Sequence, residues 1–409
     1  MNKKFLIVNC LCLVYATALA QSPISLQTAI DTAFKNNLSI KNEKLKTEYQ
    51  QKLIKTAKII PPTNVIGDFG QINSFYTDTK LSVTQTISFP KVYSSQKNLL
   101  GKEWESSVLN TAVKETELRK QVSKVYYNLL CLQQKEKLLY RTDSLFSQFL
   151  EKATFRFNKG ESNILEKTTA ENQRGQIGLQ LNQLKQDMEL LQLQFQLLLN
   201  TNTVFIPDSQ EFKIDITSFV DSSSLTTHPF VQFYQLQKQV ASMETQVEKS
   251  KLLPELILGY NIMSIRGTGA NNKEYNSIPR FQSVQIGLGI PIFNSGQKAK
   301  INAAKANEIV AANEYELNLK NFETSYKTAL LQYQKNKETV AYFETTALKN
   351  ANIITTTVNN QFINGDINYL DWVILINQAI SIESDYIEAI KNLNESAVEI
   401  SSFINQKIN

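Results

Sequence analysis

Two stretches of this chain, 201 residues apart, spell nearly the same message. "SVTQTISFPKVYSSQK" (82–97) aligns with "SVQIGLGIPIFNSGQK" (283–298), so that Pro90 meets Pro291 and Gln96-Lys97 meets Gln297-Lys298. Further on, "FNKGESNIL" (157–165) aligns with "FINGDINYL" (362–370) at an offset of 205. Upstream, "KTAKIIPPTNVIGDF" resembles "EKSKLLPELILGYN", with Pro62 opposite Pro254. Three matches in one order point to a duplicated unit, and a duplicated unit constrains a fold more than any single motif.

Both units share one grammar. A helical run (26–60; 231–253) closes at a proline. Two strand-like segments follow, 64–75 and 80–89 in the first unit, 255–265 and 281–293 in the second. The second hairpin loop, "RGTGANNKEYNSIP", is the longer and is rich in Gly and Asn, as an exposed loop is. Then come runs without Gly or Pro, 102–159 and 297–364. As helices they would reach ~87 Å and ~100 Å. Gly160 and Gly365 mark turns, and a return helix follows each. Leu118, Val122, Val125, Leu129 and Leu132 step at heptad spacing; so do Tyr315, Leu319, Phe322, Tyr326, Leu330 and Tyr333, with one extra four. Such seams require partner helices. The expected division is 21–200 for the first unit, 201–224 for a polar linker broken by Pro207, and 225–409 for the second unit.

Residues 1–20 form a separate object. Lys3 and Lys4, an apolar stretch and Ala18-Leu19-Ala20 read as a secretory signal peptide, with a membrane anchor as the other reading. Cys10 and Cys12 would leave with it, and Cys131 alone cannot form an intrachain disulfide. The formal charge of +5 drops to +3 without Lys3 and Lys4, which suggests no nucleic-acid partner. No later run approaches the length of a membrane-spanning helix.

The strands alternate with a period of two. Leu81, Val83, Ile87 and Phe89 oppose Ser82, Thr84, Thr86 and Ser88. Val284, Ile286, Leu288, Ile290 and Ile292 oppose Ser283, Gln285, Gly287 and Gly289. In a soluble sandwich the apolar side faces a core, yet no amphipathic globular helix is left to cover this one. The alternative places lipid on the apolar side and water on the other. Phe75, Tyr76, Phe89, Tyr93, Tyr275, Phe281 and Phe293 would suit aromatic girdles. Four strands cannot close a barrel, and an open edge in hydrocarbon leaves backbone groups unpaired. Two copies give eight strands with a nearly filled interior. Three copies give twelve, the smallest multiple with a water path.

This order of elements, with "LGIPIFNSGQKAKINAAKA" after the fourth strand and the two Gly-turn motifs, resembles the TolC-type outer-membrane efflux channels over nearly the whole mature chain. The resemblance implies a mainly α fold with a β-barrel segment. Two tandem repeats of helix, hairpin, long helix and return helix would trimerise into a twelve-stranded membrane barrel, continued by a periplasmic coiled-coil barrel. It implies an exit duct in the outer membrane of a Gram-negative bacterium. Its partners would be a second and third copy, a periplasmic membrane-fusion adaptor, an inner-membrane pump of the RND type, and outer-membrane lipid. The cargo would be heavy-metal cations or drugs. Phe89-Pro90-Lys91-Val92-Tyr93 replaces the usual acidic or Asn-x-Gly element, a variant similar to channels paired with heavy-metal cation pumps. The short linker implies a reduced equatorial belt.

The resemblance assigns adaptor docking to Phe157, Asn158, Gly160 and Glu161, and to Phe362, Asn364, Gly365 and Asp366. Turn chemistry alone is the competing reading. It places Asp371 at the closed periplasmic entrance, with Glu166 its equivalent in the first unit; Ile374 stands where the family has a second gate Asp. A solvated helix face is the competing reading. Val284, Ile286, Leu288, Ile290, Leu81, Val83 and Ile87 would face lipid. No cofactor, metal site or enzymatic activity is expected: one His, His228, and scattered Met leave no ligand cage or catalytic set. The rival readings are a periplasmic coiled-coil adaptor or scaffold, and the exit duct of a type I secretion system.

Overall fold

A computed structural model of the chain describes residues 22–72, 75–208, 212–216 and 222–404. The expected signal peptide lies outside the described residues, as do 209–211 and 217–221 of the linker.

Strand β1 (Ser22–Ile24) leads into helices α1 (Leu26–Asn36) and α2 (Leu38–Leu53). The sequence suggests one helical run here; the structure splits it at Asn37. That residue is extended, and its side-chain oxygen accepts from the Ser39 amide at 2.9 Å, which offers the backbone a cap in place of a helical bond. After a single 3₁₀ turn (Ile54–Lys58), Pro61 and Pro62 bring no amide hydrogen and the chain extends.

Strands β2 (Asn64–Gly70) and β3 (Asp78–Ile87) form the first hairpin. Helix α3 (Pro90–Asn158) follows: 69 residues, about 100 Å long. It begins well before the Gly-free run and passes through Gly101. A glycine in a helix costs about 1 kcal/mol. Burial of the neighbouring Leu99 and Leu100 offsets that cost. Helix α4 (Ile164–Leu199) returns alongside α3.

The described part of the linker is more regular than its polarity suggests. Strand β4 (Phe205–Pro207) pairs in parallel with β1. Asn394 then clamps the described part of the linker. Its Nδ2 donates to the Phe212 carbonyl at 2.6 Å, and its Oδ1 accepts from the Ile214 amide at 2.8 Å.

The second unit repeats the plan. Helix α5 (Pro229–Ser250) precedes strand β5 (Glu255–Met263). A small outer hairpin, β6 (Gly267–Thr268) and β7 (Glu274–Tyr275), fills the long loop before β8 (Phe281–Gly289). Helix α6 (Ser295–Tyr342) runs into a π-helical turn at Phe343–Ala347, then α7 (Leu348–Asn364). Helix α8 (Tyr369–Ile404) returns.

The heptad seams find their partners. Leu118, Val122, Val125 and Leu129 on α3, with Tyr326 and Tyr333 on α6, join Ile390, Leu393 and Ala397 of α8 in one buried cluster. A second cluster near the far end of the helices holds Phe146, Phe149, Tyr369, Trp372 and Ile376. Among the described residues no helix is long and apolar enough to cross a membrane.

Candidate functional site

Four strands make one sheet, ordered β2-β3-β5-β8 and antiparallel throughout. The register sorts side chains onto two faces. Val83 lies between Val65 and Tyr260, and Tyr260 lies opposite Val284. Ile87 pairs with Leu256, which pairs with Leu288. Since side chains alternate, Leu81, Val83, Ile87, Val284, Ile286 and Leu288 share one face. Ile290 continues that alternation just past the end of β8. Val284 and Ile286 are each 74% exposed. Leu81, Leu288 and Ile290 are exposed as well, and Val83 and Ile87 are half-buried.

The opposite face is mostly polar, with Ile66, Ile257, Met263 and Phe281 as its apolar residues. Asp68 pairs with Lys80 across β2 and β3, and their charged groups approach to 3.9 Å. Thr84, Gly259 and Gln285 form one row across three strands. A Cβ on Gly259 would come within 3.1–3.3 Å of Gln285 and Thr84, so glycine is what fits between them. Ser82 and Asn261 are buried on this face. A sheet with its apolar side in the open and polar residues such as Ser82 and Asn261 buried on the other is inside out relative to a globular core.

Three polar residues lie on the apolar face, Thr79, Gln85 and Gln282. Gln85 sits opposite Leu258 near the helical end of the sheet. Its Nε2 donates to the Pro61 carbonyl at 2.9 Å, and its Oε1 accepts from the Thr63 hydroxyl at 2.5 Å. At the other end Asp78 is fully buried and accepts from the Arg266 amide at 2.9 Å, fastening the two hairpins together.

The far ends of the helices form two tips with matching backbones. Gly160 and Gly365 adopt φ of 76° and 82°, the left-handed region that favours glycine. In the first tip the Glu161 amide donates to the Arg156 carbonyl at 2.9 Å; in the second, the Asp366 amide donates to Gln361 at 2.8 Å. Three residues after each glycine an asparagine caps the return helix. Asn163 Oδ1 accepts from the Glu166 amide at 3.1 Å, and Asn368 Oδ1 from the Asp371 amide at 3.0 Å.

Glu166 and Asp371 therefore occupy the third position of their helices, where a carboxylate complements the helix N-terminus. The Asn-x-x-acid pattern in "NILE" and "NYLD" is the sequence signal for this role. Their surroundings then diverge. The Glu166 carboxylate lies 3.5 Å from Arg156 and also bonds the Ser162 hydroxyl. Among the described residues the Asp371 carboxylate bonds its own cap alone, Asn368, at 2.7 Å, and it is exposed.

Asn158, Gly160, Glu161, Asn364, Gly365 and Asp366 are exposed at the apices. Phe157 is half-buried, with the Lys167 ammonium 5.5 Å above its ring. Phe362 turns inward. Its ring lies 5.4 Å from Phe149 and 5.7 Å from Trp372. Phe149 itself stacks on Tyr369 at 4.2 Å and on Trp372 at 4.7 Å. Sequence reasoning overlooked this aromatic knot. Its signal was the spacing of Phe146, Phe149 and Ala153 on α3, matched by Tyr369, Trp372 and Ile376 on α8. Burial, and secondarily the neighbouring Glu166, push the Tyr369 phenol up to about 12. Between the tips lies a groove of 660 Å³ lined by Phe149, Phe155, Arg156, Glu166, Phe362 and Ile363. The apices thus present an amphipathic surface.

No protein-family model matches the sequence, and no curated protein does. Solved structures match over nearly the full length. A membrane protein from Pseudomonas aeruginosa superposes with a TM-score of 0.78 at 15% identity, covering 93% of both chains. CusC, whose structures describe folding and transmembrane channel formation, gives 0.77 at 14% identity, covering 94% of this chain and 93% of its own. The CmeC outer membrane channel of Campylobacter jejuni gives 0.77 at 16% identity, covering 92% of this chain and 85% of its own. The chain shares their fold, long paired helices joined to a four-stranded sheet.

Proposed function

We propose that this chain, which carries the TolC-type outer-membrane channel fold, is the outer-membrane exit duct of a tripartite efflux system. The open sheet carries this reading. Among the described residues nothing covers its exposed apolar face, and its two edges, β2 and β8, are unpaired. The strands alternate in direction, so β8 of one copy meets β2 of the next antiparallel, with no break in the pattern. Three copies close twelve strands, with Val284, Ile286, Leu288, Leu81, Val83 and Ile87 toward lipid and the polar face toward water. The long helices carry the same duct into the periplasm.

Such a duct performs no chemistry of its own. Cargo moves because an inner-membrane pump drives it and a periplasmic adaptor holds the tips open. The exposed apices around Gly160 and Gly365 are the docking surface for that adaptor, and Phe362 supports it from within. Asp371 is the gate carboxylate. Glu166 is already compensated by Arg156, whereas Asp371 makes no ion pair among the described residues. Three copies of Asp371 around one axis repel each other and attract cations. A preference for cationic cargo, drugs or metal ions, follows from that ring.

One experiment tests both levels. Extracted in detergent, the protein should run as a heat-modifiable trimer and conduct in planar bilayers. A soluble monomer in osmotic-shock fluid would overturn the duct. In the same bilayers Asp371→Ala should lose cation preference several-fold, and unchanged ion preference would remove Asp371 from the pore.

A further inference from the structure

Where the sheet gives way to helices, the chain crosses the same level four times, and each crossing is rich in lysine. Segments 52–60, 88–98, 249–255 and 290–300 hold nine lysines and no arginine, against one acidic residue, Glu255. The whole chain is nearly balanced, with 43 basic and 38 acidic residues, so this excess is local. All nine lysines are exposed. Two are held by helix neighbours, Lys52 by Glu48 and Lys251 by Glu248. Lys55, Lys58, Lys91, Lys97, Lys249, Lys298 and Lys300 make no ion pair among the described residues.

The register brings these lysines to one level. Asn64 pairs with Thr84, so β3 runs three residues, about 10 Å, beyond the start of β2. Lys58 precedes Asn64 by six residues of extended chain, which puts it about 10 Å below Ile87. Thr47 donates to the Ser107 carbonyl at 3.2 Å; Lys58 lies eleven residues beyond the first and Lys97 ten before the second, which keeps the two at a similar height. Gln297 donates to the Glu248 carbonyl at 2.8 Å, which sets Lys298 and Lys300 beside Lys249 and Lys251 at the end of α5. Between sheet and lysines sits an uncovered apolar step: Ile59, Ile60, Phe89, Ile290, Ile292 and Phe293, the last fully exposed.

Apolar strands, then an aromatic and aliphatic step, then lysines reproduce the order of hydrocarbon, interface and headgroup in one leaflet. Lysine stems can lie along the apolar step while their ammonium groups reach phosphate. A compact ammonium on a flexible stem suits a fluid layer of headgroups better than the rigid fork of arginine. We propose that this lysine collar binds anionic phospholipids in the periplasmic leaflet of the outer membrane. The proposal rests on the sheet spanning that membrane. Lipid is the occupant because the positive charge begins where the lipid-facing stripe stops.

The test uses the full-length protein in nanodiscs of phosphatidylcholine with and without phosphatidylglycerol. Phosphatidylglycerol that co-purifies with the protein after gentle extraction is then measured. Wild type should be enriched in it. The variant Lys55→Gln/Lys58→Gln/Lys91→Gln/Lys298→Gln should lose at least about tenfold of that enrichment. High salt should reduce the wild-type enrichment as well. In phosphatidylcholine alone the variant should form the same trimer with the same conductance. Retained enrichment would overturn the proposal. So would a changed anion preference of the current without lipid loss, which would place the lysines in the lumen. Lys91→Gln alone should cost several-fold, so a quadruple variant that fails to assemble does not protect the idea. Failure of the duct reading looks different: the protein enters neither bilayer, and both proposals fall together.

Discussion

The two tips share a backbone and differ in what holds them. Under the offset of 205, Asn163 corresponds to Asn368, Glu166 to Asp371, and Gly160 to Gly365. The turn and cap bonds agree almost atom for atom. But Tyr369 and Trp372 correspond to Ile164 and Lys167. Tyr369 and Trp372 are buried in the aromatic knot, whereas Ile164 is exposed and Lys167 lies over Phe157. The first tip is held by polar contacts, Arg156 to Glu166 and Lys167 over Phe157. The second is held by ring stacking against Phe149, a residue of the first unit. Duplication preserved the turns, which local sequence dictates. It let the packing diverge, which partners dictate.

The largest test of that contrast is a matched pair of substitutions. Trp372→Ala removes a buried indole and its 2.9 Å bond to Asn359, and should cost about 3–5 kcal/mol. Lys167→Ala, its counterpart, should cost under about 0.5 kcal/mol. Hydrogen exchange of the amides at the tips would read both. Trp372→Ala should speed exchange across α7 and the start of α8. If Lys167→Ala loosened the first tip as much, the difference between stacking and polar fastening would collapse.

A second contrast runs along the long helices. Residues 138–142 of α3 are regular helix, with Leu138, Leu139 and Thr142 buried. Their counterparts under the same offset, Phe343–Ala347, form the π turn. There Glu344 accepts from Lys213 of the linker at 2.8 Å and from the Tyr386 hydroxyl at 3.1 Å. Burial, and then Glu344, push the Tyr386 phenol up to about 12. Single π turns are weak points in a helical ladder. Amides of Phe343–Ala347 should exchange faster than those of 138–142. Glu344→Gln should widen the gap by under about 1 kcal/mol, because the pair is partly exposed. Equal exchange in both stretches would mean that the two helices are mechanically alike.

Some of this was legible in the chain and some was not, for reasons of range. Strand alternation exposed the faces of the sheet, because a period of two is written in neighbouring residues such as Val284, Gln285 and Ile286. The glycine turns were legible for the same local reason. Neither the split at Asn37 nor the passage of α3 through Gly101 was, since a cap overrode the helical pattern in one case and packing overrode a weak propensity in the other. The π turn carries no Gly or Pro to announce it. The aromatic knot joins Phe149 to Tyr369 across more than two hundred residues, which no local pattern reports. Phe362, assigned to docking from its motif, proves to be part of that knot as well.

The smallest effect concerns how the helix before each hairpin begins. Asn37 caps α2 with an amide that never titrates. His228 caps α5. Its Nδ1 accepts from the Phe230 amide at 3.2 Å while its Nε2 donates to the Ser402 carbonyl at 3.0 Å, and the ring packs on Phe322. Burial lowers its pKa below the ordinary 6.5, and the bond to Ser402 only partly opposes this. The folded protein therefore holds the neutral ring, and the unfolded chain binds the proton more readily. Stability from this site is fully present above about pH 6.5 and is lost as pH falls toward the lower folded value. His228→Asn would give α5 the cap that α2 has. The melting temperature of wild type should fall between pH 7.5 and 5.5 more than that of the variant, by no more than about 2 °C. His228 is the one histidine in the chain, so no other imidazole can mimic the effect. Parallel pH profiles would show that the two units start their helices on equal terms, with charge at His228 of no consequence.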